Sequence, residues 1–288
     1  MSMNSTIGFA QQSIFDFLRS AAVPAADSAD SYTPEMLQQF FRTEVATYDI
    51  ENKESKVKLK LREEPLQNWQ NTERQQEQGS IFVWLDGSRP AVVASLFTYV
   101  YKEQVFRRHE VISLSSKSLV ASLGGQPVWT PDPADLKGTV VAQDSEPAAT
   151  EPRRLTQMRS IARNLSGKHH SPDTGASELR LLPQPLIRYK SPELGILDAA
   201  LFSFAVGTDP EILVMIEARI DEKGKQWVVV PFRSHYDALD MNYQGEPLWN
   251  AVAIPKLMFT NAMEMPYASK PFFVFNPFTK LPAAESLK

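Results

Sequence analysis

Two carboxylates in this sequence stand on apolar segments, where burial would change their chemistry. Asp198 shares one face of a predicted strand with Phe202, and Glu217 shares one face of the next with Met215. A carboxylate on an apolar strand can have a raised pKa and can then act as a general acid or base. The pair therefore suggests a carboxylate-dependent, hydrolase-like enzyme with its site on these strands.

The other interpretation of the two carboxylates is structural, because ion pairs are the commoner origin of acids in such places. Three arginines are available as partners: Arg180, Arg188 and Arg219. An open cleft that holds two of these side chains would favour an enzyme, whereas closed pairs would favour a scaffold. Glu217 and Asp198 are thus the catalytic candidates, and the candidates for ligand binding are Arg188, Arg180 and Trp129.

The histidines give no recognisable metal or nucleophile motif. His169 and His170 are adjacent in a polar segment, so their side chains diverge, and their spacing matches no zinc motif. The run 234–237 contains serine, histidine and aspartate, but members of a catalytic triad meet through the fold and not through adjacency. No glycine-rich phosphate loop or nucleophile elbow occurs in the sequence. We therefore predict no metal and no cofactor.

The composition limits the classes of partner. The chain of 288 residues has a formal charge of −4 and no cysteine, which excludes thiol chemistry and offers no overall basic footprint for nucleic acid. No apolar run is long enough to span a bilayer. The N-terminal sequence lacks the pattern of a signal peptide, which favours a cytoplasmic protein; an exported protein with its signal removed would look the same.

The stretch 195–234 organises the predicted fold. It contains three apolar runs rich in Val, Ile and Phe, separated by short connections of Gly, Asp, Pro and Lys, which predicts an antiparallel three-stranded meander. Apolar residues three to four positions apart predict amphipathic helices elsewhere. The predicted helices span 5–19, 34–48 and 153–166, and the predicted strands lie within 56–114 and 179–234.

The order of a helix followed by several strands occurs twice. A segment rich in proline, aspartate and alanine, 127–152, separates the two occurrences and is predicted to be a linker between an N-terminal unit, 1–126, and a C-terminal unit, 153–288. Two separate units and two halves packed as one both account for this order. The predicted class is α+β, with antiparallel sheet meanders covered by amphipathic helices.

Several segments together resemble a family of uncharacterised hypothetical proteins of planctomycete-type bacteria. The resemblance covers roughly residues 80–220, and it rests on SIFVWLDGSRPAVVAS, HEVISLSS, VWTPD, RLTQMRSIARN, ELRLLPQPLIRY and GILDAALFSFAVGTDPEILVMIEAR. It implies no activity and no catalytic residues. Because export is known in such families, the resemblance leaves the compartment open.

The sequence favours a non-catalytic binding or interaction protein, because it predicts a well-formed core without a recognisable reactive group. Its partner would be an unknown ligand or another protein, and a homo-oligomer fits as well. The carboxylate-dependent enzyme is the first alternative, and a structural subunit of a larger assembly is the second.

Overall fold

β-strands form more than half of the computed structural model of this protein, with 55% of residues in strands and 15% in helices. The structure describes residues 31–71, 77–101, 104–142, 145–222, 224–254 and 272–287, with the backbone alone at 101 and 272–279. The predicted α+β class is therefore wrong, because the fold is built from curled antiparallel sheets. The predicted helix at 5–19 lies outside the described residues.

Two α-helices and eighteen strands are found in the described part of the chain. The helices are α1 (Pro34–Val45) and α2 (Glu151–Arg163). The strands are β1 (Tyr48–Asn52), β2 (Lys60–Leu61), β3 (Gln67–Asn71), β4 (Glu77–Asp86), β5 (Arg89–Tyr101), β6 (Gln104–Ser113), β7 (Leu119–Leu123), β8 (Gln126–Trp129), β9 (Thr139–Val140), β10 (Leu165–Ser171), β11 (Gly175–Leu181), β12 (Ile187–Ser191), β13 (Ile196–Val206), β14 (Asp209–Asp221), β15 (Gly224–Arg233), β16 (Ala238–Tyr243), β17 (Glu246–Ala251) and β18 (Phe272–Lys280).

The chain folds as two copies of one arrangement, which we name the first repeat (34–129) and the second repeat (151–251). Each repeat is one helix followed by eight strands. In the first, β1 pairs with β7, β7 with β8, β2 and β3 with β4, β4 with β5, and β5 with β6. In the second, β10 pairs with β16, β16 with β17, β11 and β12 with β13, β13 with β14, and β14 with β15. Every one of these pairings in one repeat has its counterpart in the other.

The register of the strands also repeats. Trp69 pairs with Gly79 in the first repeat, and Tyr189 pairs with Ala199 in the second, at the same separation along the chain. At the same separation, the turn after β4 contains Gly87 with φ 64°, and the turn after β13 contains Gly207 with φ 61°. This left-handed conformation suits glycine, which has no Cβ. Residues of the two repeats can therefore be compared position by position.

The two repeats contact each other through these turns in a two-fold manner. Ser88 of the first repeat donates a hydrogen bond to the carbonyl of Lys190, and Thr208 of the second donates to the carbonyl of Gln70 at 2.8 Å. Ser88 and Thr208 occupy equivalent positions, as do Gln70 and Lys190. The interface is therefore related by a pseudo-two-fold axis, as in an isologous dimer.

Three apolar clusters form the core, and they explain why the class predicted from sequence is wrong. The middle cluster joins Ile81 and Val93 of the first repeat to Leu201, Leu213 and Val228 of the second. Helix α1 packs on the opposite face of the first sheet, and α2 packs on the opposite face of the second. One face of each sheet is thus covered by the other sheet, so helices are needed on one face only.

Each helix begins at a threonine followed closely by proline. The side chain of Thr33 accepts a hydrogen bond from the backbone N–H of Met36 at 3.3 Å and caps α1. Thr150 occupies the same position before α2. The buried positions of the two helices also correspond. Leu37 and Phe41 on α1 occupy the positions of Arg154 and Met158 on α2. Neither of the described α-helices has the length and apolar character needed to cross a membrane.

The segment predicted as a linker, 127–152, contributes to the sheets. It contains the end of β8 and all of β9, and β9 pairs with β15 at the edge of the second sheet. At the other end of the chain, β18 pairs with β6 of the first sheet. β6 and β15 are equivalent strands, and each of them pairs with a strand from outside its own repeat.

Candidate metal centre

Asp198, the first catalytic candidate from the sequence, is a fully buried partner of two arginines. Its carboxylate accepts a hydrogen bond from Nε of Arg154 at 2.8 Å and another from Nε of Arg188 at 2.8 Å. Its relative exposure is 0%. The hydrogen bond to Asp198 raises the pKa of Arg188. This geometry leaves the carboxylate no access to a substrate.

Glu217, the second catalytic candidate, is also fully buried and paired. It accepts hydrogen bonds from the hydroxyl of Tyr189 at 2.6 Å and from Nε of Arg219 at 2.6 Å, and Arg89 of the first repeat lies 3.6 Å away. Asp198 and Glu217 belong to separate clusters. Both therefore have the closed pairing that the sequence associates with a scaffold.

The remaining candidates for ligand binding do not meet at one place. Arg180 is exposed and donates a hydrogen bond to the carbonyl of Gly207. Trp129 is 1% exposed and packs in the first core cluster with Trp84. Arg188 is occupied by Asp198. The structure brings only Arg188 and Asp198 together.

Two buried tyrosines, each beside a carboxylate, provide a titration test of the buried polar contacts. Burial raises the pKa of both tyrosines well above the usual 10.0. The carboxylate of Glu44 adds to the effect at Tyr48, and the carboxylate of Glu217 adds to it at Tyr189. Because the folded state holds both phenolic protons more tightly than the unfolded state, the stability they contribute is present below pH 10.0 and is lost as the pH rises above it. In an alkaline titration of tyrosinate absorbance, two tyrosines should ionise only as the protein unfolds, and one should do so in Tyr48→Phe. Early ionisation of all tyrosines would contradict this.

A different group of side chains converges inside the second repeat. His169 lies on β10, Glu211 lies at the start of β14, and His235 and Asp237 lie in the connection between β15 and β16. Their relative exposures are 3%, 0%, 8% and 6%. One nitrogen or oxygen atom from each of His169, Glu211 and His235 lies within 4.8 Å of the other two. We refer to these four residues as the His–Glu–His–Asp cluster.

Three side chains of the His–Glu–His–Asp cluster, those of His169, Glu211 and His235, are close enough to hold one ion, and Asp237 lies beside both imidazoles. Nδ1 of His235 lies 3.6 Å from Oε2 of Glu211 and 3.8 Å from Oδ2 of Asp237, and Nε2 of His169 lies 3.0 Å from the same oxygen of Asp237. Two ligand atoms bound to one tetrahedral Zn²⁺ are about 3.3–3.6 Å apart, given bonds of about 2.0–2.2 Å. The distance between His235 and Glu211 agrees with this range, whereas the 3.0 Å between His169 and Asp237 is a hydrogen bond. Imidazole nitrogens and carboxylate oxygens are both ligands that Zn²⁺ and similar ions accept.

Neighbouring groups hold these side chains in place. The backbone N–H of Asp237 donates to Nδ1 of His235 at 3.1 Å, which keeps that nitrogen deprotonated; coordination through Nδ1 would exchange this hydrogen bond for the metal. Arg233 donates to the carbonyls of Asp237 at 3.1 Å and of Val252 at 2.7 Å. Burial lowers the pKa of Arg233 to about 10, so it remains charged at neutral pH. The connection that presents two of the four side chains is thus fixed at both sides.

At three of the four equivalent positions the first repeat has no ionisable group, and the fourth residue, Lys117, is exposed and pairs with Asp86 at 2.6 Å. The amide of Leu114 donates a hydrogen bond to the carbonyl of Ala91 at 2.8 Å, and the amide of Ser234 donates one to the carbonyl of Glu211 at the same distance. These two bonds are equivalent in the two repeats. Ala91 therefore corresponds to Glu211, and Ser115 corresponds to His235.

By the pairing of β1 with β7 and of β10 with β16, Asn52 is equivalent to His169. Asn52, Ala91 and Ser115 are 8%, 1% and 4% exposed. The fold therefore does not itself require buried histidines and acids at these positions.

The two adjacent histidines have opposite surroundings. His169 points into the second repeat, whereas His170 is 38% exposed and pairs with Asp240 at 2.6 Å on the surface. The sequence predicts both in a solvated loop because the run from 168 to 178 is rich in turn residues. The structure confines the turn to residues after Ser171, so His169 continues the buried alternation of Leu165 and Gly167.

The sequence did contain one signal for the cluster. His235 and Asp237 are separated by one residue, and the bend that contains them brings the backbone N–H of Asp237 to Nδ1 of His235. Together with Ser234, these two residues resemble the members of a catalytic triad and not a metal site. Glu211 carries no local signal, because it follows an ordinary turn, and its proximity to His235 comes from the pairing of β14 with β15.

Comparison with protein-family models, with curated proteins and with solved structures found no match. The resemblance to hypothetical proteins of planctomycete-type bacteria stays a prediction. The inference of function therefore rests on the geometry of the described residues.

Proposed function

We propose that this chain is a non-catalytic binding protein that holds one divalent transition-metal ion in its second repeat. The observation that carries the proposal is the convergence of His169, Glu211 and His235 beside Asp237. The first repeat has Asn52, Ala91 and Ser115 at the positions of these three converging residues. A divalent cation bound there would balance the buried carboxylates, which offsets the cost of burying them.

The proposed site has the character of a structural metal centre. His169, Glu211 and His235 offer one ligand atom each, and Asp237 holds the imidazole of His169 from outside this set of ligands, as carboxylates do at many zinc sites. The ligands come from β10, from β14 and from the connection before β16, which are far apart along the chain. A metal bound there would join these three elements and stabilise the folded second repeat.

The test is calorimetric titration of Zn²⁺ into protein that has been stripped with a chelator. The wild type is expected to bind one equivalent. His169→Ala should weaken binding more than about 100-fold, since it removes a direct ligand, while second-shell changes alone cost about 10–100-fold. His170→Ala is the matched control, because it removes the neighbouring exposed histidine and should leave the affinity unchanged.

Two further measurements keep the proposal testable if His169→Ala does not fold. Wild-type protein with Co²⁺ should show the visible absorption of a four-coordinate ion, and Zn²⁺ at about 100 times its dissociation constant should raise the melting temperature by about 5–10 °C. A wild type that binds no ion, or a folded His170→Ala variant that loses binding as His169→Ala does, would overturn the proposal.

A further inference from the structure

A pocket in the first repeat lies at a place that the second repeat uses for ion pairs. It has a volume of about 230 Å³ and lies between α1 and the strands β3 and β4. Its wall includes the apolar side chains of Leu37 and Phe41, and its polar lining includes Asn68, Gln70, Gln78 and Ser80. Thr208 of the second repeat also lines it, so both repeats contribute to the pocket.

The position-by-position comparison explains why space exists there. Asn68 is equivalent to Arg188, because Asn68 pairs with Ser80 in the first repeat as Arg188 pairs with Ala200 in the second. By the same register, Gln78 is equivalent to Asp198. On the helices, Leu37 is equivalent to Arg154, because each is the first buried residue after the threonine that precedes its helix.

The second repeat therefore has two guanidinium groups and a carboxylate, joined by hydrogen bonds of 2.8 Å, where the first repeat has neutral side chains. Both arginines are replaced by shorter residues, Leu37 and Asn68. The ion pairs satisfy one another and occupy the space between helix and sheet. In the first repeat no such network replaces them among the described residues, and the polar groups line a pocket instead.

The pocket is held in shape by side chains that are already fixed. Nε1 of Trp69 donates to Oγ of Ser95 at 3.0 Å, and the rings of Trp69 and Phe97 are 5.3 Å apart. The hydroxyl of Ser80 donates to the amide oxygen of Asn68 at 2.7 Å, which orients that amide. The backbone N–H of Gln70 donates to Thr208 at 2.9 Å. A ligand would therefore meet a preorganised surface.

The chemistry of the lining indicates an uncharged ligand. None of the described residues that line the pocket is ionisable. Amides and hydroxyls both donate and accept hydrogen bonds, as the hydroxyls of a sugar do, and the apolar wall suits its C–H face. A charged ligand would lose hydration without gaining a counter-charge. The volume is below the about 300–1,000 Å³ of pockets for drug-sized ligands.

We propose that this first-repeat pocket binds an uncharged polyhydroxy molecule of monosaccharide size. The inference is independent of the metal site, which lies in the other repeat. Binding should therefore be the same in chelator-treated and in zinc-loaded protein, and a failure of either proposal leaves the other standing.

The experiment is saturation-transfer NMR followed by calorimetric titration with D-glucose, D-galactose, D-mannose and myo-inositol. At least one is expected to bind, and D-gluconate and D-glucosamine should bind at least about tenfold more weakly because they carry a charge. Asn68→Ala and Gln78→Ala should each weaken binding by roughly tenfold, the effect of one lost hydrogen bond. Asn68 is exposed, so its replacement leaves the core intact.

Gln39→Ala is the matched control, because Gln39 lies on α1 with its side chain exposed and does not line the pocket. It should leave the affinity unchanged. The proposal is overturned if no neutral compound in the set binds, if the charged analogues bind as tightly, or if Gln39→Ala weakens binding as much as Asn68→Ala.

Discussion

Replacing Asp198 with alanine is expected to lower the free energy of unfolding by about 3–5 kcal/mol, the usual cost of breaking a buried ion pair by removing one partner. Arg154 is 8% exposed and has its Nε bonded to Asp198, so the variant leaves a buried guanidinium without its carboxylate. The carbonyls of Ala148 and Ala149, each 2.9 Å from Arg154, cannot neutralise the charge. Denaturant unfolding followed by circular dichroism measures the loss.

Glu178→Ala is the matched control for Asp198→Ala. Glu178 is an acid of the same repeat whose side chain is 67% exposed, and it pairs with Lys168 at 3.1 Å. Exposed pairs contribute about 0–1 kcal/mol, so this variant should unfold almost like the wild type. A loss below about 1 kcal/mol for Asp198→Ala would show that its arginines are not held as the structure has them, and would restore Asp198 as a candidate for chemistry.

The second large effect is expected at Trp129. Trp129→Ala should cost about 3–5 kcal/mol, because it removes a large side chain that is 1% exposed and leaves a cavity beside Trp84. The equivalent residue of the second repeat, Trp249, is half-buried at the edge of its cluster. Trp249→Ala should therefore cost clearly less.

Denaturant unfolding of the two tryptophan variants, compared with the wild type, measures this difference. Equal losses would contradict the burial of Trp129 and the comparison between the repeats. A small loss at Trp129 would instead agree with the exposed, ligand-binding tryptophan that the sequence also allows.

Local patterns in the sequence predict the elements of this fold well. Apolar runs separated by turn residues over 195–234 correspond to β13, β14 and β15, which pair as antiparallel neighbours. The threonine and proline before residue 35 predict the start of α1 at Pro34. These features depend on residues close together in the chain, so a single sequence contains the information.

The assembly of these elements depends on contacts that no local pattern specifies. An alternation of apolar residues shows that a strand has a buried face, but it does not show whether a helix or another sheet covers it. The equivalence of the two repeats is also hidden, because positions such as Leu37 and Arg154, or Asn52 and His169, have different chemistry. Register and turn geometry reveal it.

The candidate metal centre could be predicted only in part for the same reason. His235 and Asp237 are close in sequence and lie in one bend, whereas His169 and Glu211 join them through two separate strand pairings. The carboxylates that the sequence favoured, Asp198 and Glu217, have arginine partners supplied partly by other elements. In both cases the decisive contacts are between residues far apart in the chain.

A zinc-edge anomalous diffraction map of crystals grown with one equivalent of Zn²⁺ tests the proposed function most directly. The structure predicts one strong peak about 2.0–2.2 Å from nitrogen or oxygen atoms of His169, Glu211 and His235. The exposed pair of His170 and Asp240 serves as the internal comparison, because it offers the same two ligand types on the surface. A peak only at that pair, or no ordered peak at all, would contradict a metal centre inside the second repeat.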